Sequence, residues 1–139
     1  MNGNSFISFL LRSPLHRMMS GSTMLITVTG RKSGRPITTP VNYYQEGETL
    51  WVISNRERTW WRNLKGGAPV KLRLRGQEVD GFGEAVLVES EVAAQIGEYV
   101  RHLPISARSL GVHMQAGQPD PADLSRLAQE RVMVRINLV

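Results

Sequence analysis

The sequence predicts an α+β domain that is mostly β: an antiparallel barrel of about six strands with helices packed outside it. Short segments in which apolar and polar residues alternate recur along the chain, and glycine-containing turns separate them. This pattern is typical of half-buried strands. Helix-length segments are missing between most of these strands. A doubly wound α/β fold needs a helix there, so the sequence favours the antiparallel barrel.

The composition is that of one globular domain with excess positive charge. A chain of 139 residues has the usual length of a single domain, which we divide into an N-terminal helix over 1–20 and a barrel with helices over 21–139. Seventeen Lys and Arg against twelve Asp and Glu give a net charge of +5. This charge favours an anionic partner, such as a phosphate-bearing cofactor, nucleic acid or an anionic membrane. The absence of cysteine excludes disulfides, thiolate metal sites and cysteine nucleophiles.

The N-terminal segment contains a short apolar run that is too brief for a signal peptide. Arg12 and Pro14 interrupt the run after Phe6–Leu11, below the usual length of a signal core and far below a membrane span. We predict a short amphipathic helix that packs on the barrel or contacts a membrane surface. The expected location is cytoplasmic, with membrane association through this helix as the alternative.

The first half of the chain predicts three strands and one short helix. Strands over 24–29 and 38–44 flank a glycine-rich turn at 30–36, and a hairpin at 46–48 leads into a strand over 50–54. A helix follows over 59–64. Thr59 is a suitable cap for it, and glycines at 66 and 67 end it.

The second half predicts two more strands, two helices and then a final strand. Gly81 and Gly83 lie within one predicted strand and indicate a bulge or a close backbone contact there. Asp120 caps a helix that has Pro121 at its first position. The segment 104–120 is expected to be irregular. The remaining predicted elements are strands over 70–74, 78–88 and 132–138 and a helix over 90–103.

The turn at 30–36 is the strongest candidate binding feature. Gly30 and Gly34 permit backbone conformations that are closed to other residues, so amides there are expected to point into one concavity. The concavity would be ringed by the side chains of Arg31, Lys32, Ser33 and Arg35. Amides and guanidinium groups together suit a phosphate or a carboxylate tail. The alternative is a solvated hairpin rich in charge. The spacing matches neither a Walker loop nor a dinucleotide fingerprint.

A pair of tryptophans is the second candidate feature. Trp60 and Trp61 follow shortly after Ser54 and Asn55. Neighbours on a helix lie about 100° apart, so we predict that one indole packs in the core while the other faces a cleft, a partner or solvent. An amphipathic ring beside an apolar cavity suits a planar ligand. The alternative is two core anchors at a helix edge.

Other chemistries receive little support. His16, His102 and His113 lie far apart in the sequence, so no metal site is predicted. The Gly-x-Ser-x-Gly motif of many hydrolases is absent. Seven basic residues between Arg31 and Lys65 lie among aromatic residues and suit nucleic acid, but no nucleic-acid-binding motif accompanies them. We therefore expect no nucleic-acid partner.

An ordered set of motifs resembles the deazaflavin-dependent nitroreductase family. These motifs are Thr29-Gly30-Arg31-Lys32-Ser33-Gly34, Thr39-Pro40-Val41 with Tyr43, Ser54-Asn55, and Trp61-Arg62-Asn63-Leu64-Lys65-Gly66-Gly67-Ala68-Pro69-Val70. The similarity runs from about Ile26 to Val88. The resemblance implies the split β-barrel of flavin- and deazaflavin-dependent oxidoreductases, a fold like that of FMN-binding proteins.

The resemblance also implies roles for individual residues and a reaction. In such proteins the coenzyme F420 passes a hydride to a quinone, a nitroaromatic or another activated small molecule. The motif positions implied to bind the phosphate and tail are Arg31, Lys32, Ser33 and Gly34, to which the charge of the turn adds Arg35. Those implied near the ring are Thr39, Pro40, Val41, Ser54, Asn55, Trp60 and Trp61. Tyr43 or Tyr44 is a weak candidate for a catalytic proton donor, with a structural role as the alternative.

The chain departs from the family pattern in three ways that bear on the cofactor and substrate. Ile37 stands where an arginine is common, and the segment between Ser54 and Trp61 is short. The region 104–120 has no clear counterpart of the tyrosine-bearing substrate segment of the best-known relatives. FMN is therefore kept as the alternative cofactor, and a non-catalytic flavin- or deazaflavin-binding protein as the alternative function. Pairing through a sheet face, as in other split barrels, would give a homodimer.

Overall fold

The computed structural model describes residues 23–139, so the predicted helix over 1–20 lies outside the described residues. Within that range the barrel strands are β1 Thr23–Thr29, β2 Pro36–Glu46, β3 Thr49–Asn55, β4 Ala68–Leu74, β5 Gln77–Val86 and β8 Arg131–Leu138. A small hairpin is formed by β6 Met114–Gln115 and β7 Gln118–Pro119. The helices are a 3₁₀ helix Trp60–Leu64, α1 Glu89–His102, α2 Pro104–Leu110 and α3 Pro121–Glu130.

The six long strands close into one antiparallel barrel in the order β1-β2-β3-β8-β5-β4. The predicted mostly β, α+β class and the number of barrel strands are confirmed. Alternation decides which side chains fill the barrel: Val70, Leu72 and Leu74 of β4 are buried inside, while Lys71 is exposed outside. The helices α1 and α3 pack together on one outer side and form a second, smaller core with Tyr44 and other side chains of the barrel wall.

Two glycines of β5 allow close packing inside the barrel. The register with β4 is unbroken from Ala68↔Gly83 to Leu74↔Gln77, so the bulge alternative is wrong. A Cβ atom on Gly81 would lie 2.9 Å from Cγ2 of Ile136. On Gly83 it would lie 3.2 Å from Cδ1 of Leu64. The alternative prediction, a close approach of the backbone at Gly81 and Gly83, is therefore correct.

The prediction of irregular structure over 104–120 is wrong. Pro104 begins the seven-residue helix α2, and Gly111, with φ of 75°, ends it. A proline at the first position supplies a helical φ and gives up no hydrogen bond. Ala116 and Gly117, with φ of 51° and 77°, form the tight turn between β6 and β7, because both positions of such a turn need positive φ. Elements this short show too few periods to be recognised from apolar spacing.

The pairing between β2 and β3 covers only part of their length. β2 and β3 pair only from Tyr43↔Val52 to Glu46↔Thr49. The earlier part of β2 pairs only with β1, and the end of β3 pairs only with β8. The two strands therefore diverge toward the end of the barrel that carries the 30–36 turn. We call this unpaired stretch, between 38–41 of β2 and Ser54–Asn55 of β3, the split.

Within residues 23–139, none of the helices is both long enough and apolar enough to span a membrane.

Candidate functional site

The turn between β1 and β2 is a closed backbone loop. The Gly30 amide donates to the Arg35 carbonyl at 2.8 Å, and the Gly34 amide donates to the Gly30 carbonyl at 2.7 Å. Gly34 has a φ of 69°, and a Cβ on Gly30 would lie 2.7 Å from the Ser33 hydroxyl oxygen. Gly34 thus needs glycine for its backbone conformation, and a side chain at position 30 would require the Ser33 hydroxyl to move.

Fewer amides are available in this turn than the sequence suggested. The amides of Gly30 and Gly34 are used inside the loop, and the Arg35 amide donates to the Ser33 hydroxyl at 3.2 Å. The Arg31 amide donates to Oδ1 of Asn63 at 3.0 Å. Only the amides of Lys32 and Ser33 within the turn have no acceptor among residues 23–139. A bound anion would therefore meet two amides at the tip of the loop, together with the side chains around it.

Asn63 fastens this turn to the 3₁₀ helix. Its Oδ1 accepts from the Arg31 amide, and its Nδ2 donates to the Trp60 carbonyl at 3.0 Å. The Arg31 guanidinium also donates to the carbonyl of Lys65, just beyond the helix. Sequence reasoning placed Asn63 in a motif but gave it no role, because its partner lies 32 positions away.

Both tryptophans of the 3₁₀ helix are buried, with exposures of 4% for Trp60 and 5% for Trp61. The prediction that one indole faces a cleft or solvent is therefore wrong. The helix is embedded at the barrel end against β1 and β5, so neighbouring positions are covered from different sides. The Trp60 Nε1–H donates to the Ser54 hydroxyl and the Trp61 Nε1–H to the Asn55 carbonyl, each at 3.1 Å. Both indoles are thereby held against the β3 edge of the split.

The β2 edge of the split presents backbone rather than side chains. Thr39 and Val41 point into the barrel and are buried, and Pro40 is half-buried on the outer side. Proline is tolerated in a sheet where its nitrogen faces no ladder partner, and Pro40 pairs with Leu25 on one side only. Arg58, in the loop that follows β3, reaches this edge: its Nη2 donates to Oγ1 of Thr39 at 3.1 Å.

A group of exposed cations surrounds the turn and the 3₁₀ helix. None of them has a carboxylate within 4.0 Å in the described part of the chain. Two cations elsewhere on the barrel do have carboxylate partners: Lys71 lies 2.8 Å from Asp80, and Arg135 lies 2.8 Å from Glu84. The positive potential of this group is therefore uncompensated, which favours an anionic ligand. We call it the basic rim; its members are Arg31, Lys32, Arg35, Arg58, Arg62 and Lys65.

The sequence over 13–108 matches the family described as F420H(2)-dependent quinone reductase. This match covers more than half of the chain and includes the turn, the split and the 3₁₀ helix. The chain belongs to the F420H(2)-dependent quinone reductase family. The resemblance drawn from the sequence motifs is thereby confirmed. No curated protein matches the chain in sequence.

Solved structures confirm the fold of this quinone reductase family member. An FMN-binding protein related to pyridoxamine 5′-phosphate oxidase from Nostoc punctiforme superposes with a TM-score of 0.61 at 11% identity, over 97% of this chain and 79% of that chain. The protein Atu2129 of unknown function from Agrobacterium tumefaciens gives 0.55 at 16% identity, over 92% of this chain. The flavocytochrome Anf3 from Azotobacter vinelandii gives 0.52 at 14% identity, over 88%. The chain spans only 56% of the Agrobacterium protein and 61% of Anf3.

The two candidate tyrosines of this family member lie in different cores. Tyr43 is buried inside the barrel, and its hydroxyl accepts from Nη1 of Arg75 at 3.4 Å. Arg75 is in the turn between β4 and β5, at the barrel end opposite the basic rim. Tyr44 packs under α1, with its ring centroid 5.0 Å from that of Tyr99 and 4.9 Å from that of His102.

The surroundings of Tyr44 oppose its ionisation. Burial raises the pKa of Tyr44 to about 12, and the neighbouring carboxylates of Glu46 and Glu98 add to the effect. The phenol therefore stays neutral across the physiological range.

Replacing Asn63 by alanine should loosen the turn from the 3₁₀ helix. The change removes two hydrogen bonds, each of which contributes about 0.5–1.5 kcal/mol. We expect urea denaturation to show a loss of about 1–3 kcal/mol in the free energy of unfolding. Limited trypsin digestion should cleave faster within the turn.

Asn42→Ala is the matched control, because among residues 23–139 the Asn42 side chain makes one hydrogen bond, an exposed one that it accepts from the Thr23 hydroxyl. It should change the free energy of unfolding by less than about 0.5 kcal/mol. Equal trypsin rates in the two variants would show that Asn63 does not hold the turn.

Proposed function

We propose that this chain binds the deazaflavin coenzyme F420 and catalyses hydride transfer from its reduced form to a quinone, a nitroaromatic or another activated small molecule. The observation that carries the proposal is the basic rim, six exposed cations without carboxylate partners in residues 23–139, beside the split where β2 and β3 are not paired. Membership of the F420H(2)-dependent quinone reductase family supports it.

The turn has the donors that the anionic part of this coenzyme requires. A phosphate and an oligoglutamate tail carry several negative charges, and guanidinium groups bind both phosphate and carboxylate through paired N–H donors. The proposed tail-binding positions are Arg31, Lys32, Ser33, Gly34 and Arg35. Among them, Lys32 and Ser33 add backbone amides that have no acceptor among residues 23–139, while Gly34 gives the loop its shape.

The split has the surroundings that a planar ring requires. We place the ring over Pro40 and Asn55, the partly exposed members of the two edges. The other residues near the split are buried and act by shaping its two edges. They are Thr39, Val41, Ser54, Trp60 and Trp61. The bound coenzyme supplies the hydride; the protein binds it, orients it and excludes water.

FMN is the alternative cofactor, and the Nostoc neighbour named as an FMN-binding protein shares this fold. The single phosphate of FMN would occupy few of the six cations of the basic rim, whereas an oligoglutamate tail uses more of them. The charge count therefore favours the deazaflavin. A protein that is yellow on purification, absorbing in the flavin band, would favour FMN instead.

Turnover distinguishes an enzyme from a carrier. Purified protein is mixed with reduced F420 and either a soluble quinone or a nitroaromatic, and reoxidation of the coenzyme is followed by absorbance. We expect protein-dependent reoxidation with at least one acceptor. Tight binding of the coenzyme without turnover for any acceptor would identify a non-catalytic deazaflavin-binding protein.

A further inference from the structure

We infer that Arg58 makes the site prefer the reduced coenzyme to the oxidised one. This inference rests on the proposed function, because it concerns the same coenzyme at the same split. It adds a residue that no sequence motif indicated and assigns it a role in selecting the redox state that is bound.

Arg58 is tied to both edges of the split. Its backbone amide donates to the Asn55 carbonyl of β3 at 3.2 Å. Its guanidinium donates to Oγ1 of Thr39 in β2 at 3.1 Å. Arg58 thus links β2 and β3 at the split, where Pro40 and Asn55 are proposed to contact the ring.

The charge of Arg58 is available to a ligand. The residue is exposed, and no carboxylate lies within 4.0 Å of its guanidinium among residues 23–139. A guanidinium has five N–H donors, and among residues 23–139 that of Arg58 makes one hydrogen bond, to Thr39.

Arg56, in the same loop, points elsewhere. Its Nη2 donates to the carbonyls of Leu87 and Ala128, at 3.1 and 3.0 Å. Of the two loop arginines, only Arg58 therefore has its guanidinium bonded across the split.

A cation at this place distinguishes the two redox states by charge. The reduced ring carries one more negative charge than the oxidised ring when the hydride arrives without a further proton. A nearby guanidinium stabilises the more negative form, and more strongly where water is excluded. When the hydride, with its two electrons, passes to the acceptor, that extra charge leaves the ring. Arg58 then holds the oxidised coenzyme less tightly, which favours its exchange for the reduced form.

Equilibrium dialysis with oxidised F420 and, without oxygen, with reduced F420 tests this inference. The proteins are wild type, Arg58→Met and Arg58→Lys, with Arg62→Met and Thr39→Val as controls. Arg58→Met should lose at least tenfold more affinity for the reduced coenzyme than for the oxidised one. A tenfold change in that ratio lowers the midpoint potential of the bound coenzyme by about 30 mV. Arg58→Lys should retain part of the preference, because it keeps the charge.

Two control variants separate charge at the split from other effects. Arg62 also belongs to the basic rim, but among residues 23–139 its guanidinium makes no hydrogen bond to either edge of the split and instead lies 5.6 Å from the Trp61 ring. Arg62→Met should therefore weaken binding of both redox states equally. Thr39→Val removes the hydrogen bond to Arg58 but keeps the charge, and it should keep the affinity ratio within about threefold of wild type.

The outcomes separate this inference from the proposed function. If wild type binds neither form, both fail. If wild type binds F420 but Arg58→Met weakens both forms equally, or neither, the inference is overturned and the proposed function stands. If Thr39→Val reproduces the Arg58→Met ratio, the preference comes from loop structure rather than from charge, and the inference is again overturned.

Discussion

Replacing Arg31 and Lys32 together by alanine should weaken the binding of F420 by more than tenfold. Both side chains are exposed beside the two free amides of the turn, and neither has a carboxylate partner in residues 23–139. Charge-assisted hydrogen bonds contribute about 1.5–3 kcal/mol each, and about 1.4 kcal/mol corresponds to a factor of ten in affinity. The dissociation constant is measured by coenzyme fluorescence at low and moderate salt.

A double variant on the helical side controls for net charge. Arg101 and Arg108 are exposed on α1 and α2, so Arg101→Ala with Arg108→Ala removes the same two charges away from the turn. This control should change the dissociation constant less than about threefold, since only long-range attraction is lost. Equal affinities in the two double variants would show that the turn does not bind the coenzyme.

Replacing Trp60 by alanine should lower the free energy of unfolding by about 3–5 kcal/mol, the usual cost of deleting a buried aromatic ring. The indole is 4% exposed and belongs to the barrel core. The change also leaves the buried Ser54 hydroxyl without its indole donor. Domains of this kind have total stabilities of about 5–15 kcal/mol, so the loss is a large part of the whole. Urea denaturation measures it.

Trp60→Phe separates ring packing from the hydrogen bond. It retains an aromatic ring at the split but loses the donor to Ser54, and part of the bulk goes with it. We expect a loss of about 1–3 kcal/mol. A loss below about 1 kcal/mol for Trp60→Ala would mean that the indole does not support the barrel end.

Local patterns predicted most of the sheet correctly. Alternation in β4 separates the buried Val70, Leu72 and Leu74 from the exposed Lys71, because every second side chain of a strand points inward. The start of α3 was also predictable: the Asp120 side chain accepts from the Ala122 amide at 2.9 Å. Such features depend on residues close together in the sequence. The predicted homodimer is not of this kind, and it stays a prediction.

The parts of the site that were missed depend on contacts between distant residues. The turn was recognisable from Gly30 and Gly34, but the capture of the Arg31 amide by Asn63 depends on how the 3₁₀ helix seats in the barrel end. The same seating buries both tryptophans. The hydrogen bond from Arg58 to Thr39 lies where β2 and β3 are no longer paired. Local sequence patterns do not indicate at which residue two strands stop pairing.

Titration of the purified protein with F420 and, separately, with FMN tests the central claim most directly. Ligand fluorescence is followed at low and moderate salt. We predict saturable binding of F420 that weakens as salt rises, because the exposed cations of the basic rim are screened, and much weaker binding of FMN. Tight binding of FMN alone would show that the cofactor is a flavin rather than a deazaflavin. Binding of neither ligand would contradict the proposed role of the turn.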